Sequence, residues 1–101
     1  MQKEEIIIQT ENVKVRVIAL QPAETAPLHH HSEVTDSMFG ISGEILVRLQ
    51  DPAEEVLLTP GTRCTVAPGR LHQVINRLPK DTSEYLLIQG GGSYDLIKQG
   101  T

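Results

Sequence analysis

The residues best suited to chemistry in this chain are its four histidines, which fall into two compact blocks. The first block holds three of them, His29, His30 and His31, and Asp36 follows within the same stretch. The fourth, His72, lies in a second block at residues 61–76. Imidazole nitrogens and carboxylate oxygens are typical ligands of transition metals in proteins. The two blocks therefore predict that folding brings these side chains together around a metal ion.

The spacing within the first block favours two of its three histidines as ligands. His29 and His31 are two residues apart on a segment expected to be extended, so their rings project from the same face. A short turn would then bring Asp36 round as an oxygen ligand, and His72 would complete the set from a neighbouring strand. Three imidazoles and one carboxylate suit one divalent Fe, Mn, Co, Ni or Zn ion with positions left open for water or substrate. His30 has the opposite parity and is expected to face outward.

Other interpretations of these residues stay open. A histidine cluster can be solvent-exposed by accident, and a core histidine is often only hydrogen-bonded. Asp36 could cap a turn or orient a metal ligand instead of binding the ion, and Glu33 could replace it if the turn folded differently. Cys64 is expected to be a small buried apolar residue and not a nucleophile or ligand.

The elements that must position the ligands are predicted to be strands. No stretch of a dozen residues carries a 3.6-residue apolar period, whereas Val13, Val15 and Val17 alternate with more polar neighbours. Short extended segments bounded by Gly and Pro indicate an all-β barrel or sandwich, with residues 1–101 as one domain. Strands are predicted at residues 6–9, 13–20, 28–31, 38–42, 45–50, 55–59, 64–66, 71–77, 84–89 and 94–98.

Composition limits the classes of function. The 101-residue chain has a formal charge of −4 and a pI near 5.5, without a basic face, and only three aromatic residues, so nucleic-acid binding is not expected. Its single cysteine permits no internal disulfide and fits a reducing compartment. The first residues do not resemble a signal peptide, and the apolar runs are too short to span a bilayer. A cytoplasmic protein without membrane partners is expected.

Both blocks resemble the two motifs of the cupin superfamily. The first motif corresponds to His29-His30-His31, four residues, Asp36, six residues and Gly43. The second corresponds to Gly61, five residues, Ala67-Pro68-Gly69, two residues, His72, three residues and Asn76. The chain departs from the family pattern in lacking the leading glycine and in having Ala67 for the usual proline and Asp36 for the usual glutamate. The resemblance implies a double-stranded β-helix, or jelly-roll barrel, with the metal held inside by His29, His31, Asp36 and His72.

Strand parity also predicts the lining of a pocket. If Asp36 faces inward, Met38 on its strand does so too, and Val47 and Val74 are expected to face the same interior. This describes a mostly apolar cavity that suits a small organic molecule bound to the metal through oxygen. No lysine or arginine is expected to face inward beyond the metal. Arg70 could line the mouth and favour an anionic ligand, or it could form an exposed salt bridge.

Two classes of function fit these expectations. The first is a metal-dependent enzyme of the dioxygenase, isomerase or lyase type that acts on a small organic molecule. The alternative is a non-catalytic module that binds or senses a metal or ligand. A homodimer is expected in either case, since the barrel has strand edges to cover and the apolar residues 6–8 could add to a partner's sheet.

Overall fold

A computed structural model of the chain describes residues 2–99, which are built from ten β-strands. Within that range no helix is long and apolar enough to cross a membrane. The strands are β1 (Lys3–Gln9), β2 (Val13–Leu20), β3 (His29–His30), β4 (Thr35–Ser42), β5 (Ile45–Leu49), β6 (Glu54–Leu58), β7 (Arg63–Val66), β8 (His72–Asn76), β9 (Ser83–Gly90) and β10 (Ile97–Lys98).

The strands form two five-stranded sheets in which neighbouring strands run antiparallel. One sheet has the order β1-β2-β9-β4-β7, and the other has the order β10-β3-β8-β5-β6. Successive strands from β4 to β9 cross repeatedly between the sheets, as in a jelly roll. The predicted all-β barrel is confirmed. β1 and β4 each begin three residues earlier than predicted, and β3 and β10 are only two residues long.

Alternation along the strands creates the core between the sheets. Strand β9 buries every second residue, from Ser83 to Gln89. On β2 the buried face carries Arg16, Ile18 and Leu20, while Val13 on the opposite face is exposed. The core cluster consists of Ile18, Leu20, Ala26, Met38, Ile45, Val47, Leu49, Leu58, Cys64, Val66, Val74, Tyr85 and Leu87.

Asn76 holds together the chain segments at the end of the barrel opposite the histidine cluster. This side chain at the end of β8 is buried, and its amide nitrogen donates to the carbonyls of Leu20, Gln21 and Asp81. Its carbonyl oxygen accepts hydrogen bonds from the Leu78 amide and from the Ser83 hydroxyl. Asn76 therefore ties three chain segments together.

Gly40 permits the close approach of β4 to the segment that follows β6. A Cβ atom at Gly40 would lie 2.2 Å from the carbonyl oxygen of Thr59, a distance that no side chain tolerates. The main chains are also joined by a hydrogen bond from the Gly40 amide to the carbonyl of Thr62. The lack of a side chain at Gly40 therefore allows β4, the strand that also carries Asp36, to pack closely against the segment that follows β6.

Candidate metal centre

The fold brings His29, His31, Asp36 and His72 together from both sheets. His29 on β3 and His72 on β8 are direct cross-strand partners in one sheet. Asp36 comes from β4 in the other sheet, and His31 follows the end of β3. Each residue offers one ligand atom, and these four atoms all lie within 4.8 Å of one another. Strand pairing within one sheet and packing between the two sheets thus assemble a single group, which we call the metal group.

Backbone carbonyls orient the three imidazole rings of the metal group. Nδ1 of His29 lies 2.8 Å from the carbonyl oxygen of Pro27, and Nδ1 of His72 lies 2.8 Å from that of Arg70. Nδ1 of His31 similarly contacts the carbonyl oxygen of Asp95. A nitrogen that faces a carbonyl must carry a proton, so Nε2 is the atom of each ring that could bind a metal ion. Such outer hydrogen bonds are typical of histidines that bind metals.

Asp36 occupies the centre of the group and is 1% exposed. Its Oδ2 atom lies 3.1 Å from Nε2 of His31 and 3.1 Å from Nε2 of His72. Two ligands on one ion, each at about 2.1 Å, are separated by at most about 4.2 Å. A movement of roughly half an ångström would therefore bring the widest pair within range of a common ion. The donor set and its spacing fit a divalent transition metal.

Charges within the metal group are strongly coupled. Burial lowers the pKa of His29 to about 4, so its ring is neutral near pH 7 and free to bind a cation. Burial also opposes protonation of His31, but its hydrogen bonds to Asp36 and Asp95 outweigh that effect and raise its pKa. Burial of Asp36 favours the protonated acid, yet hydrogen bonds from His31 and His72 hold its pKa well below the usual range. Asp36 is accordingly a carboxylate in the folded protein.

A second set of polar contacts extends from Asp36 to a buried arginine. Gln89, directly opposite Asp36 on β9, donates from Nε2 to Oδ1 of Asp36 at 2.9 Å. The Oε1 atom of Gln89 accepts a hydrogen bond from Arg16 at 2.5 Å. Because one amide end donates and the other accepts, the orientation of the Gln89 side chain is fixed. This chain of contacts engages Oδ1 of Asp36, whereas Oδ2 faces the histidines.

Three members of the metal group, His29, His31 and Asp36, form part of the wall of a cavity of about 250 Å³. This volume suits a small molecule. The wall combines polar side chains with aliphatic and aromatic ones. The wall consists of Gln2, Arg16, Ile18, Ala26, Pro27, His29, His31, Asp36, Val74, Tyr85, Leu87, Gln89, Tyr94, Leu96 and Lys98.

The predicted pocket residues are only partly found at this wall. Val74 lies there, whereas Met38 and Val47 belong to the core cluster and are not among the lining residues. Both face inward as parity required, but the side chains around them fill that part of the interior. The cavity is displaced toward β2, β9 and the segment that leads into β10.

Two other predictions need correction or comment. Arg70 does not line the mouth, because its guanidinium is held by the carbonyls of Gln50 and Pro52 and by a 3.0 Å ion pair with Glu54. The salt-bridge alternative describes it correctly. Glu33, considered as a substitute for Asp36, instead accepts a hydrogen bond from the Ser93 amide and lies outside the metal group.

Sequence analysis missed Arg16 and Tyr94 as residues of the cavity wall. Arg16 was hidden because the valines of β2 suggested that their own face was the buried one. The following pair, Ile18 and Leu20, has the parity of Arg16 and was the signal that could have shown it. Tyr94 enters the site through the irregular segment before β10, and its ring centroid lies 5.5 Å from that of His31. No spacing rule predicts such a contact.

Solved structures of other proteins share the fold of this chain. No protein-family model and no curated protein matches the sequence. Among solved structures, a Klebsiella pneumoniae protein with a double-stranded β-helix domain is 20% identical with a TM-score of 0.79, over 97% of this chain and 85% of that one. A cupin 2 domain-containing protein from Halorhodospira halophila is 20% identical with a TM-score of 0.81, over 99% of this chain and 70% of that one.

An enzyme also appears among the similar structures. Oxalate oxidase in complex with the substrate analogue glycolate is 14% identical with a TM-score of 0.81, over 96% of this chain and 54% of that one. At such identities the likeness concerns the fold. The chain has a double-stranded β-helix fold, as its two motifs predicted, and shares this fold with a cupin 2 domain-containing protein.

Proposed function

We propose that this protein is a metal-binding cupin that acts as a metal-dependent enzyme on a small organic molecule held in the barrel. The single observation that carries the proposal is the convergence of three carbonyl-anchored imidazoles and one buried carboxylate, of which His29, His31 and Asp36 line a cavity. A closed structural site would need no such cavity beside it. The occurrence of oxalate oxidase among proteins of this fold is consistent with chemistry on small organic molecules.

Each residue of the site has a separate task in this proposal. His29, His31, His72 and Asp36 would hold one divalent Fe, Mn, Co, Ni or Zn ion, which when bound supplies a Lewis acid and open coordination positions. Gln89 holds Asp36 in one orientation through Oδ1. Ile18, Leu87 and the other apolar wall residues exclude water, which strengthens the electrostatic contacts within the cavity. The reaction would be of the dioxygenase, isomerase or lyase type.

The proposal can be tested by turnover of metal-loaded protein. Protein loaded in turn with each of the five metals is given diketones, thiols and sugar acids, and oxygen uptake and product formation are measured. His72→Ala should abolish any activity, because it removes a ligand that is only 1% exposed. The matched control is His30→Ala, which removes an imidazole outside the metal group. Equal activity of His72→Ala and unmutated protein would contradict the proposal.

A non-catalytic binding or sensing module is the second candidate. It is favoured by the wall itself: apart from the metal group, the lining residues that the structure describes include no carboxylate and no imidazole. An acid or base for proton transfer would have to come from Tyr85, Tyr94 or Lys98, and burial raises the pKa of Tyr85 far above neutrality. A compound that perturbs the spectrum of the bound metal without being converted would favour this candidate.

We also propose that the protein is a cytoplasmic homodimer in which each chain forms one cupin domain over residues 1–101. Support comes from β1, an edge strand on which Ile6, Ile7 and Ile8 are each about half exposed. Pairing of two copies through this edge would cover their apolar side chains. Light scattering should give twice the chain mass, and a monomer at micromolar concentration would contradict this part of the proposal.

A further inference from the structure

Arg16 is a buried cation in the wall of the same cavity as the metal group. The residue is 6% exposed and lies on the inward face of β2 beside Ile18. Burial of a charged side chain is costly unless hydrogen bonds and opposite charges compensate for the lost water. The buried guanidinium of Arg16 therefore needs several hydrogen-bond acceptors, and the described contacts supply only some of them.

The guanidinium of Arg16 retains unused donors. It has five N–H groups. One terminal nitrogen donates to Glu4 at 2.7 Å and the other donates to Gln89 at 2.5 Å. Its Nε atom is buried and has no hydrogen-bond partner among the residues that the structure describes. Glu4 lies on the edge strand β1 with its side chain 40% exposed, so solvent weakens its hold on the arginine.

Arg16 and the metal group are separated by a single amide group. Gln89 accepts from Arg16 at one end and donates to Asp36 at the other. All three side chains line the cavity, so a molecule of a few heavy atoms within it could contact the guanidinium and the metal group together. Lys98 lies at the same wall, and Nζ of Lys14 lies 4.4 Å from the centroid of the Tyr94 ring, which adds positive charge on this side.

We propose that the cavity takes a short-chain organic acid whose carboxylate binds Arg16 while a second oxygen group of the same molecule reaches the metal. Arginine matches the geometry of a carboxylate with paired N–H donors. The chain between the two oxygen groups is short, because Gln89 alone spans the distance from Arg16 to Asp36. This inference rests on the proposed function, since the metal supplies the second contact.

The test uses full-length protein loaded with Co²⁺ and three hydroxamates, which bind metals through the hydroxamate end. The monohydroxamate of succinic acid carries a free carboxylate, its amide counterpart carries a neutral group of similar shape, and acetohydroxamate carries neither. Binding is followed by the visible absorption of Co²⁺. The carboxylate compound should bind about tenfold more tightly than the amide compound, because only its carboxylate forms a hydrogen bond between charged groups with Arg16.

Variants of Arg16 assign that preference to its side chain. Arg16→Met should abolish the tenfold preference. Arg16→Lys keeps the positive charge at this buried position, and it should lower the preference several-fold because lysine lacks paired donors. Arg48→Met is the matched control: Arg48 is exposed, pairs with Glu55 and should leave the preference unchanged.

The results separate this inference from the proposed function. If Co²⁺ binds to unmutated protein but no hydroxamate perturbs its spectrum, the open coordination position that the proposed function requires is refuted, and the inference falls with it. If acetohydroxamate binds but the carboxylate compound has no advantage over the amide, the metal site stands and the role of Arg16 is refuted. The same refutation follows if the preference is equal in unmutated protein, Arg16→Met and Arg16→Lys.

Discussion

Replacement of Gln89 by leucine should destabilise the metal-free protein strongly. Gln89 is 1% exposed and makes hydrogen bonds to two charged groups, accepting from Arg16 and donating to Asp36. Leucine has a similar size, so the change removes polar contacts without leaving a large cavity. Both partners then stay buried with one hydrogen bond fewer each. Each hydrogen bond to a charged group contributes about 1.5–3 kcal/mol, so the two together give a loss of roughly 3–6 kcal/mol.

Urea denaturation followed by circular dichroism measures this loss in the presence of a chelator. A domain of this size has a free energy of unfolding of about 5–15 kcal/mol, so the loss is a large part of the total. With a urea dependence of at most about 3 kcal/mol per M, a loss of 3 kcal/mol lowers the midpoint by at least about 1 M.

Gln73→Leu is the matched control for Gln89→Leu. Gln73 lies on β8 and is half-buried, and its side chain makes one long hydrogen bond of 3.4 Å to the carbonyl of Ala26. We expect a change below about 1 kcal/mol. A loss below about 1 kcal/mol for Gln89→Leu itself would refute the reasoning, since Arg16 and Asp36 would then not depend on the amide between them.

Three further predictions concern protons, the cysteine and the closure of the barrel. Metal affinity measured by calorimetry should fall as the pH decreases from about 8 to about 5.5, because protons compete for His31, whose pKa is raised; constant affinity would contradict this. Burial and the nearby Glu54 raise the pKa of the Cys64 thiol, so the folded protein should react far more slowly with a thiol reagent at pH 8 than the urea-unfolded protein does, and equal rates would count against burial. Gly40→Ala should cost about 1–3 kcal/mol because of the clash with Thr59, whereas Gly90→Ala, with no atom closer than 3.6 Å, should cost less, and the reverse order would contradict the described packing.

Much of the fold was accessible from sequence because its strands are short and alternate regularly. The two-residue spacing of His29 and His31 and the turn to Asp36 were enough to predict one group, and the structure places those ligand atoms within 4.8 Å of one another. His72 was likewise expected to complete the set from a neighbouring strand, and the family resemblance implied the same four residues. The contact itself depends on the pairing of β3 with β8.

The features of the site that sequence analysis did not predict depend on long-range contacts. The face of β2 that is buried is decided by packing against β9 and the opposite sheet, and the valine pattern concealed the inward position of Arg16. The carbonyl of Asp95 that orients His31 lies 64 residues away, in a segment without regular structure. Sequence could not decide between the two alternatives for Arg70 for a similar reason, since its carbonyl partners come from the turn between β5 and β6.

The metal content of protein purified without a histidine tag tests the central claim most directly. After exposure to Fe, Mn, Co, Ni or Zn and removal of excess metal, elemental analysis should give one tightly held ion per chain, as a single group of four ligands implies. The same measurement on His31→Ala should give little or no metal, while His30→Ala should match the unmutated protein. Equal metal content in His31→Ala and unmutated protein, or none in either, would contradict the account.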